Sequence, residues 1–188
     1  MPSHRLFIAL DTPPDVKQEM GELCQKLASS DADVRWERTG KLHCTLQFLG
    51  EVDDEMVNPL GAAVHKALEG IVPFLISYRG IGFFPEGLHP RVVWAGIEDH
   101  AGRLAYLHKR ILEETARLGL IGNGSPFRAH VTLGRVRGPG NLRRLTTMTE
   151  TCTFEHPPVT VREVVIMKSE LKYSGSVYTV LRSIPLTS

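Results

Sequence analysis

Apolar and polar positions alternate along this chain in blocks that switch between strand and helix periods. Arg5-Leu6-Phe7-Ile8-Ala9-Leu10 is a short apolar run, which predicts a buried strand. Asp11-Thr12-Pro13-Pro14 closes it, with Thr12 placed to cap a helix whose first turn accepts proline. Val16, Met20, Leu23 and Leu27 then form one helical stripe. Val34 and Trp36 lead to a Thr39-Gly40 turn and a strand over Leu42–Leu49 that ends at Gly50. Asp53 is the expected N-cap of a second helix, with Met56, Val57, Leu60, Val64 and Leu68 inside and Gly70 as its stop. Phe74–Ile81 and Arg91–Ile97 read as strands, joined by a Gly- and Pro-rich loop from Gly82 to Pro90 that carries Phe83 and Phe84. A third helix is expected from His100 to Leu118, with Leu104, Leu107, Ile111 and Leu118 inward. Beyond it come a strand over Phe127–Val136, a short polar helix over 141–150, strands at Thr151–Phe154 and Val159–Met167, a loop from Lys168 to Ser176, and a last strand at Val177–Ile184.

The order of elements suggests a duplicated αβ unit. No linker rich in Gly, Ser or Pro divides the halves, so residues 1–188 are read as a single domain of two pseudo-symmetric lobes. Its 188 residues suffice for one sizeable core. The net charge of +1 gives the whole molecule no general attraction for polyanions, so any anion site must be local. Arg128, Arg135, Arg137, Arg143 and Arg144 are a candidate cluster. Three cysteines at irregular spacing form neither a disulfide framework nor a zinc pattern, which fits a reducing compartment. No secretory signal or membrane-length apolar run is present, so a cytoplasmic, soluble protein is expected.

Two of the predicted strands share a motif. His43-Cys44-Thr45-Leu46 recurs as His130-Val131-Thr132-Leu133. Strand residues two apart share a face, so each strand offers one imidazole and one hydroxyl together and turns its alternate residues inward. Cys44 is therefore read as a small core residue, and Phe48, of the same parity, as inward too.

Two histidines opposed across a groove suit acid–base chemistry. One neutral imidazole takes a proton and one protonated imidazole gives one, near neutral pH. Threonine hydroxyls can donate to the oxygens of a tetrahedral anion. A phosphodiester, above all a strained cyclic one, needs these parts and no covalent nucleophile. A metal site is the weaker reading, because neither motif carries an acidic ligand.

These residues resemble the 2H phosphoesterase superfamily, and within it the RNA 2′,3′-cyclic phosphodiesterases first described as 2′-5′ RNA ligases. The likeness runs through Arg5–Asp11, Leu42–Val52, Pro90–Trp94, Phe127–Arg135 and Ser169–Tyr178. It implies an α+β fold with two antiparallel sheets lining a central V-shaped cleft, helices outside. It further implies metal-independent hydrolysis of an RNA 2′,3′-cyclic phosphate end, such as that of a tRNA fragment, to a 2′-phosphate by a monomer without a cofactor. His43 would be the proton donor and His130 the proton acceptor, with Thr45, Thr132 and Arg135 holding the phosphate. Phe48 and Tyr173 are candidates to stack a terminal base, although the alternation places Phe48 in the core. Cys44 replaces the usual aliphatic residue. Ligation in the reverse direction, hydrolysis of cyclic nucleotides, and a non-catalytic RNA-binding module remain open at this point.

Overall fold

A computed structural model describes residues 2–122, 124, 126–173 and 175–187. Among the described residues, nine strands and four helices are arranged as an α+β fold: β1 (Ser3–Asp11), α1 (Pro14–Ala28), β2 (Val34–Trp36), β3 (His43–Asp53), α2 (Val57–Leu68), β4 (Phe74–Phe84), β5 (Val92–Glu98), α3 (Arg103–Ala116), β6 (His130–Val136), α4 (Leu142–Thr151), β7 (Glu155–Val161), β8 (Glu163–Lys172) and β9 (Gly175–Pro185). Two short 3-10 turns, Thr39–Lys41 and Asp54–Met56, precede β3 and α2.

The strands form two antiparallel sheets. The first runs β3-β1-β8-β9 and the second β2-β6-β5-β4-β7. Neither sheet is one half of the chain. The first joins two early strands to the last two, and β2 crosses to the second sheet beside β6. The helices cross over as well. α1 follows β1 in sequence but packs on β2, β6 and α4, whereas α2 and α3 pack on each other and reach β9 and β3.

The cause is visible in β1. Leu6 to Leu10 are all buried, so this central strand has two apolar faces. Leu6, Ile8 and Leu10 join the main core, with Leu60, Val64, Leu104, Leu107 and Ile111 of α2 and α3 among its members. Phe7 and Ala9 face the other way and form a small separate cluster with Val165 and Met167, with Tyr178 packed against it. Phe7 of that second cluster lies against the rings of His43 and Tyr178. Burying each large apolar side chain contributes about 1.5–3 kcal/mol, so both faces of β1 are strongly held.

Several expectations are corrected. Thr12 does not cap α1: Pro13 is the N-cap residue, and no side chain caps it. Asp53 likewise does not cap α2: it precedes an intervening 3-10 turn, where its side chain makes no capping bond, and Met56 is the N-cap residue of α2. The inward position in the last turn of α3 is Thr115, not Leu118, which falls beyond the helix. Residues 151–154 are not a strand, since α4 runs to Thr151 and β7 starts at Glu155. A strand beginning only at Val159 omits Pro157-Pro158, but β7 is an edge strand, where proline removes no shared ladder bond. The 159–167 run divides at Arg162, one part in each sheet. Of the expected loop from Lys168 to Ser176, Lys168–Lys172 and Gly175–Ser176 are instead the distal strands of the β8–β9 hairpin, polar because they extend past the core, and Ser174 lies outside the described residues. β4 also continues to Phe84 before the chain turns.

Candidate active site

Both motif strands carry a β-bulge immediately after the motif threonine. Along β1 and β3, Ile8 pairs with Gln47 but Ala9 with Thr45, so Leu46 is the extra residue. Along β5 and β6, Val93 pairs with Gly134 but Trp94 with Thr132, so Leu133 is the extra residue. A bulge puts two residues opposite one and resets the alternation. Leu46 and Gln47 are both buried, as are Leu133 and Gly134. The residue five places after each histidine therefore returns to the histidine's own face. That residue is Phe48 in β3 and Arg135 in β6. Phe48 is 52% exposed and lines the cleft, which overturns its expected place in the core.

The two imidazoles are fixed by the same local device. His43 Nδ1 lies 2.6 Å from the carbonyl of Lys41, and His130 Nδ1 lies 2.7 Å from that of Arg128. A carbonyl oxygen only accepts, so each Nδ1 carries a hydrogen and donates it. In the neutral ring each Nε2 then offers a lone pair. His43 Nε2 sits 3.1 Å from Thr45 Oγ1. The two motif strands, β3 and β6, also contact each other.

Around these rings the surroundings differ. His43 lies 4.9 Å from Phe7 and edge-on at 5.3 Å to Tyr178, between ring centroids. β3 and β9 are the two edges of the first sheet, so this contact shows how far the sheet curls over the cleft. His130 stands edge-on to Phe84 at 5.0 Å, and Phe84 in turn lies against Trp94 and under the Arg128 guanidinium. Burial is the main cause lowering the pKa of both histidines. For His43 the Lys41 carbonyl and Asp11 oppose it, while Lys17 and His130 add to it. For His130 the Arg128 carbonyl opposes it and Arg135 adds to it. Charge on one imidazole is thus felt by the other.

His43, Thr45, Phe48, His130, Thr132, Arg135 and Tyr178 all line one cleft of about 530 Å³. Lys41 and Arg128 add positive charge at its walls, and Glu37 stands 3.8 Å from Arg135. The same cleft is lined as well by His108, Leu112, Leu120 and Phe127, with His108 stacked on Phe127 at 4.2 Å. Burial lowers the His108 pKa as well. The cleft volume is that of a small-molecule site, larger than a lone phosphate requires.

Of the five clustered arginines only Arg128 and Arg135 reach this cleft. Arg137 pairs with Asp33 and Arg144 with Asp31. Tyr173 is not at the site. It is fully exposed at the β8–β9 tip, in a different depression. Sequence reasoning misses Tyr178, Lys41, Phe7 and Phe84, although Tyr178 ends the resembling segment and Phe84 is one of two loop aromatics. The other, Phe83, packs on the core. Cys44 and Cys24 are buried with thiol pKa values pushed up to about 12, mainly by burial, which suits packing and not nucleophilic attack. Among the described residues no three His, Cys, Asp or Glu side chains are grouped to hold a metal ion, and no helix is long and apolar enough to cross a membrane.

The fold and site define an α+β protein of two antiparallel sheets with two histidines lining one cleft. A family model of LigT-like phosphoesterases matches the chain twice in succession, over residues 10–94 and 96–178. The chain is 32% identical over 176 residues to the RNA 2′,3′-cyclic phosphodiesterase of Methanothermobacter thermautotrophicus, covering 93% of this chain and 95% of that one. It is 31% identical over 178 residues to the enzyme of the same name from Thermotoga maritima, covering 94% and 92%. Among solved structures, a protein of Thermus thermophilus superimposes with a TM-score of 0.82 at 28% identity over 97% of both chains. E. coli LigT complexed with 3′-AMP gives 0.79 at 25% identity over the full length of both. The chain belongs to the LigT-like phosphoesterases, the 2H family, and is an enzyme.

Proposed function

We propose that this protein hydrolyses the 2′,3′-cyclic phosphate at an RNA end to a 2′-phosphate by two-histidine acid–base catalysis. The observation that carries the reading is the matched pair of rings. Each has Nδ1 tied to the carbonyl two residues back; His130 Nε2 is left for the cleft, His43 Nε2 meets only the Thr45 hydroxyl, and Arg135 lines the same cleft. His130 Nε2 takes a proton from water as its oxygen attacks phosphorus. The P–O3′ bond breaks, and His43 Nε2 gives its proton to the departing 3′ oxygen. The 2′ ester bond remains, so the product is a 2′-phosphate. Beyond burial, Asp11 favours the proton on His43, opposed by Lys17, which is paired to Asp11 at 2.7 Å, and by His130, while Arg135 disfavours a proton on His130. Arg135, Thr45 and Thr132 would hold the phosphoryl oxygens, where a planar guanidinium and hydroxyls are well suited. Phe48 and the other apolar lining of the cleft would take the terminal base, since unstacked RNA ends are read by aromatic surfaces. The curated relatives named above support the substrate class.

The test is to incubate the protein in excess EDTA with a short RNA ending in a 2′,3′-cyclic phosphate and identify the product isomer. A 2′-phosphate in undiminished yield is expected. A 3′-phosphate product, or turnover that needs added metal, would overturn the mechanism.

A further inference from the structure

The second sheet carries a charge arrangement that the chemistry at His43 and His130 leaves unused. Arg35 of β2 lies directly across from Arg135 of β6 in an antiparallel pair. Arg135 lines the cleft, so Arg35 stands on the same face beside it. Like charges directly opposed on neighbouring strands are destabilising. Glu37 sits near Arg135, but among the described residues no carboxylate lies within 4.0 Å of Arg35. The Arg35 guanidinium instead reaches across to the first sheet. It abuts Gly175 so closely that a Cβ there would collide with Nη2, while Lys41 Nζ would stand 3.9 Å from that Cβ. Gly175 has a φ of +107°, so its backbone conformation asks for glycine as well.

Lys41 also lines the catalytic cleft, which makes the cationic surface continuous. Outside it, Arg35, Arg137, Lys172 and the fully exposed ring of Tyr173 border a second depression of about 500 Å³ at the β8–β9 tip. Arg137 there is partnered by Asp33 at 3.2 Å, and Arg35 and Lys172 have no carboxylate partner among the described residues.

We propose that Arg35 and Lys41 form a second phosphate subsite, which takes the phosphodiester one nucleotide to the 5′ side of the cyclic end. Tyr173 stacks a base further along the strand. This inference rests on the reading of the cleft as an RNA-end site and names the form of that substrate: an oligonucleotide, in preference to a cyclic mononucleotide. The chemistry is that of single-strand binding in general, in which cations track the backbone and aromatic rings take bases without regard to sequence. It also gives Arg35 an anion in place of the carboxylate that the fold withholds.

The experiment compares wild type with Arg35→Ala on two substrates with the same terminal base, a cyclic mononucleotide and a dinucleotide ending in a cyclic phosphate. Wild type is expected to show a KM about fivefold to tenfold lower for the dinucleotide. Arg35→Ala should abolish that preference while mononucleotide turnover stays within about twofold, and the salt slope of log KM should become shallower by about 0.7, one single-strand phosphate contact. Tyr173→Ala should spare the dinucleotide and weaken only longer strands. Equal losses on both substrates would make Arg35 a support for Arg135 and overturn the subsite, as would no loss on either. If wild type cleaves neither substrate, the cyclic-end reading itself fails. The subsite is then judged by fluorescence binding of a single-stranded RNA oligonucleotide, where equal affinity of the two proteins overturns it.

Discussion

The two half-sites are one backbone device used twice with different outcomes. In both, a histidine donates Nδ1–H to the carbonyl two residues back, a threonine follows on the same face, and a bulge then returns the fifth residue to that face. In the first half-site that fifth residue is Phe48, and the imidazole stands among Phe7 and Tyr178 on an edge strand. In the second it is Arg135, on a strand flanked by β2 and β5, with Arg128 nearby. The repeat sets where the groups stand. The single position that the bulge returns to the cleft decides whether a half-site presents an aromatic ring or a guanidinium there.

The sharpest way to break this comparison is to remove either imidazole. His43→Ala and His130→Ala are each expected to lower kcat/KM on a cyclic-ended RNA by about 10²–10⁴, the usual worth of one positioned acid or base. The two losses should differ in kind. The wild-type profile of kcat/KM against pH should be bell-shaped with both limbs on the acidic side of 6.5, because burial lowers both imidazoles. His130→Ala should remove the acidic limb, since the base is needed neutral, and His43→Ala the alkaline limb, since the acid is needed charged. A diester with a nitrophenolate leaving group needs no acid, so it should rescue His43→Ala alone. Rescue of both variants, or of neither, would undo the division of roles.

The two fifth residues give the next effect. Arg135→Ala should cost about 10- to 100-fold in kcat/KM whatever the terminal base, because a charge-assisted bond of about 1.5–3 kcal/mol is lost. Phe48→Ala should act mainly on KM and unequally among bases, since stacking is worth about 1–3 kcal/mol per base and varies with the ring. Steady-state kinetics on cyclic-ended RNAs with each of the four terminal bases separate the two patterns. The threonines should differ more finely. Thr45 Oγ1 is already engaged with His43 Nε2, whereas Thr132 has no side-chain hydrogen bond among the described residues. A hydroxyl that exchanges one partner for another gains less than a free one. Thr132→Val should therefore cost about tenfold and Thr45→Val about threefold in the same kinetics, hydrogen bonds being worth about 1 kcal/mol. Equal costs would mean that the Thr45 contact dissolves on binding.

Both motifs, their strand character and the common face of each His–Thr pair are legible in the sequence, because a period of two is a local property. So are the apolar stripes of α1, α2 and α3. What escapes is not local. A bulge is one extra residue and leaves no mark on composition, so strict alternation assigns Phe48 to the wrong face, and Arg135 rests on family likeness with no geometric reason. Strand exchange between the sheets depends on which edge a strand joins, and no local period records that. Tyr178 reaches His43 only because the first sheet curls, which is why nothing in the β9 segment points to it. Tyr173 is an aromatic in a polar stretch, and that pattern does not separate a cleft wall from a hairpin tip.

The smallest expected difference is one of stability. Both imidazoles have folded-state pKa values below the unfolded value of 6.5, with burial as the main cause. As pH falls below 6.5 the unfolded chain takes up protons that the folded chain resists. The stability these neutral rings allow is therefore complete above 6.5 and declines as pH drops toward the folded values. His43 is enclosed by two aromatic rings and His130 by one, so protonating His43 should be the more disruptive event. Urea midpoints at pH 7.5 and pH 5 should fall less in His43→Gln than in wild type, with His130→Gln between them. Identical declines in the two variants would mean that the half-sites, unlike in their chemistry, are alike in how they exclude water.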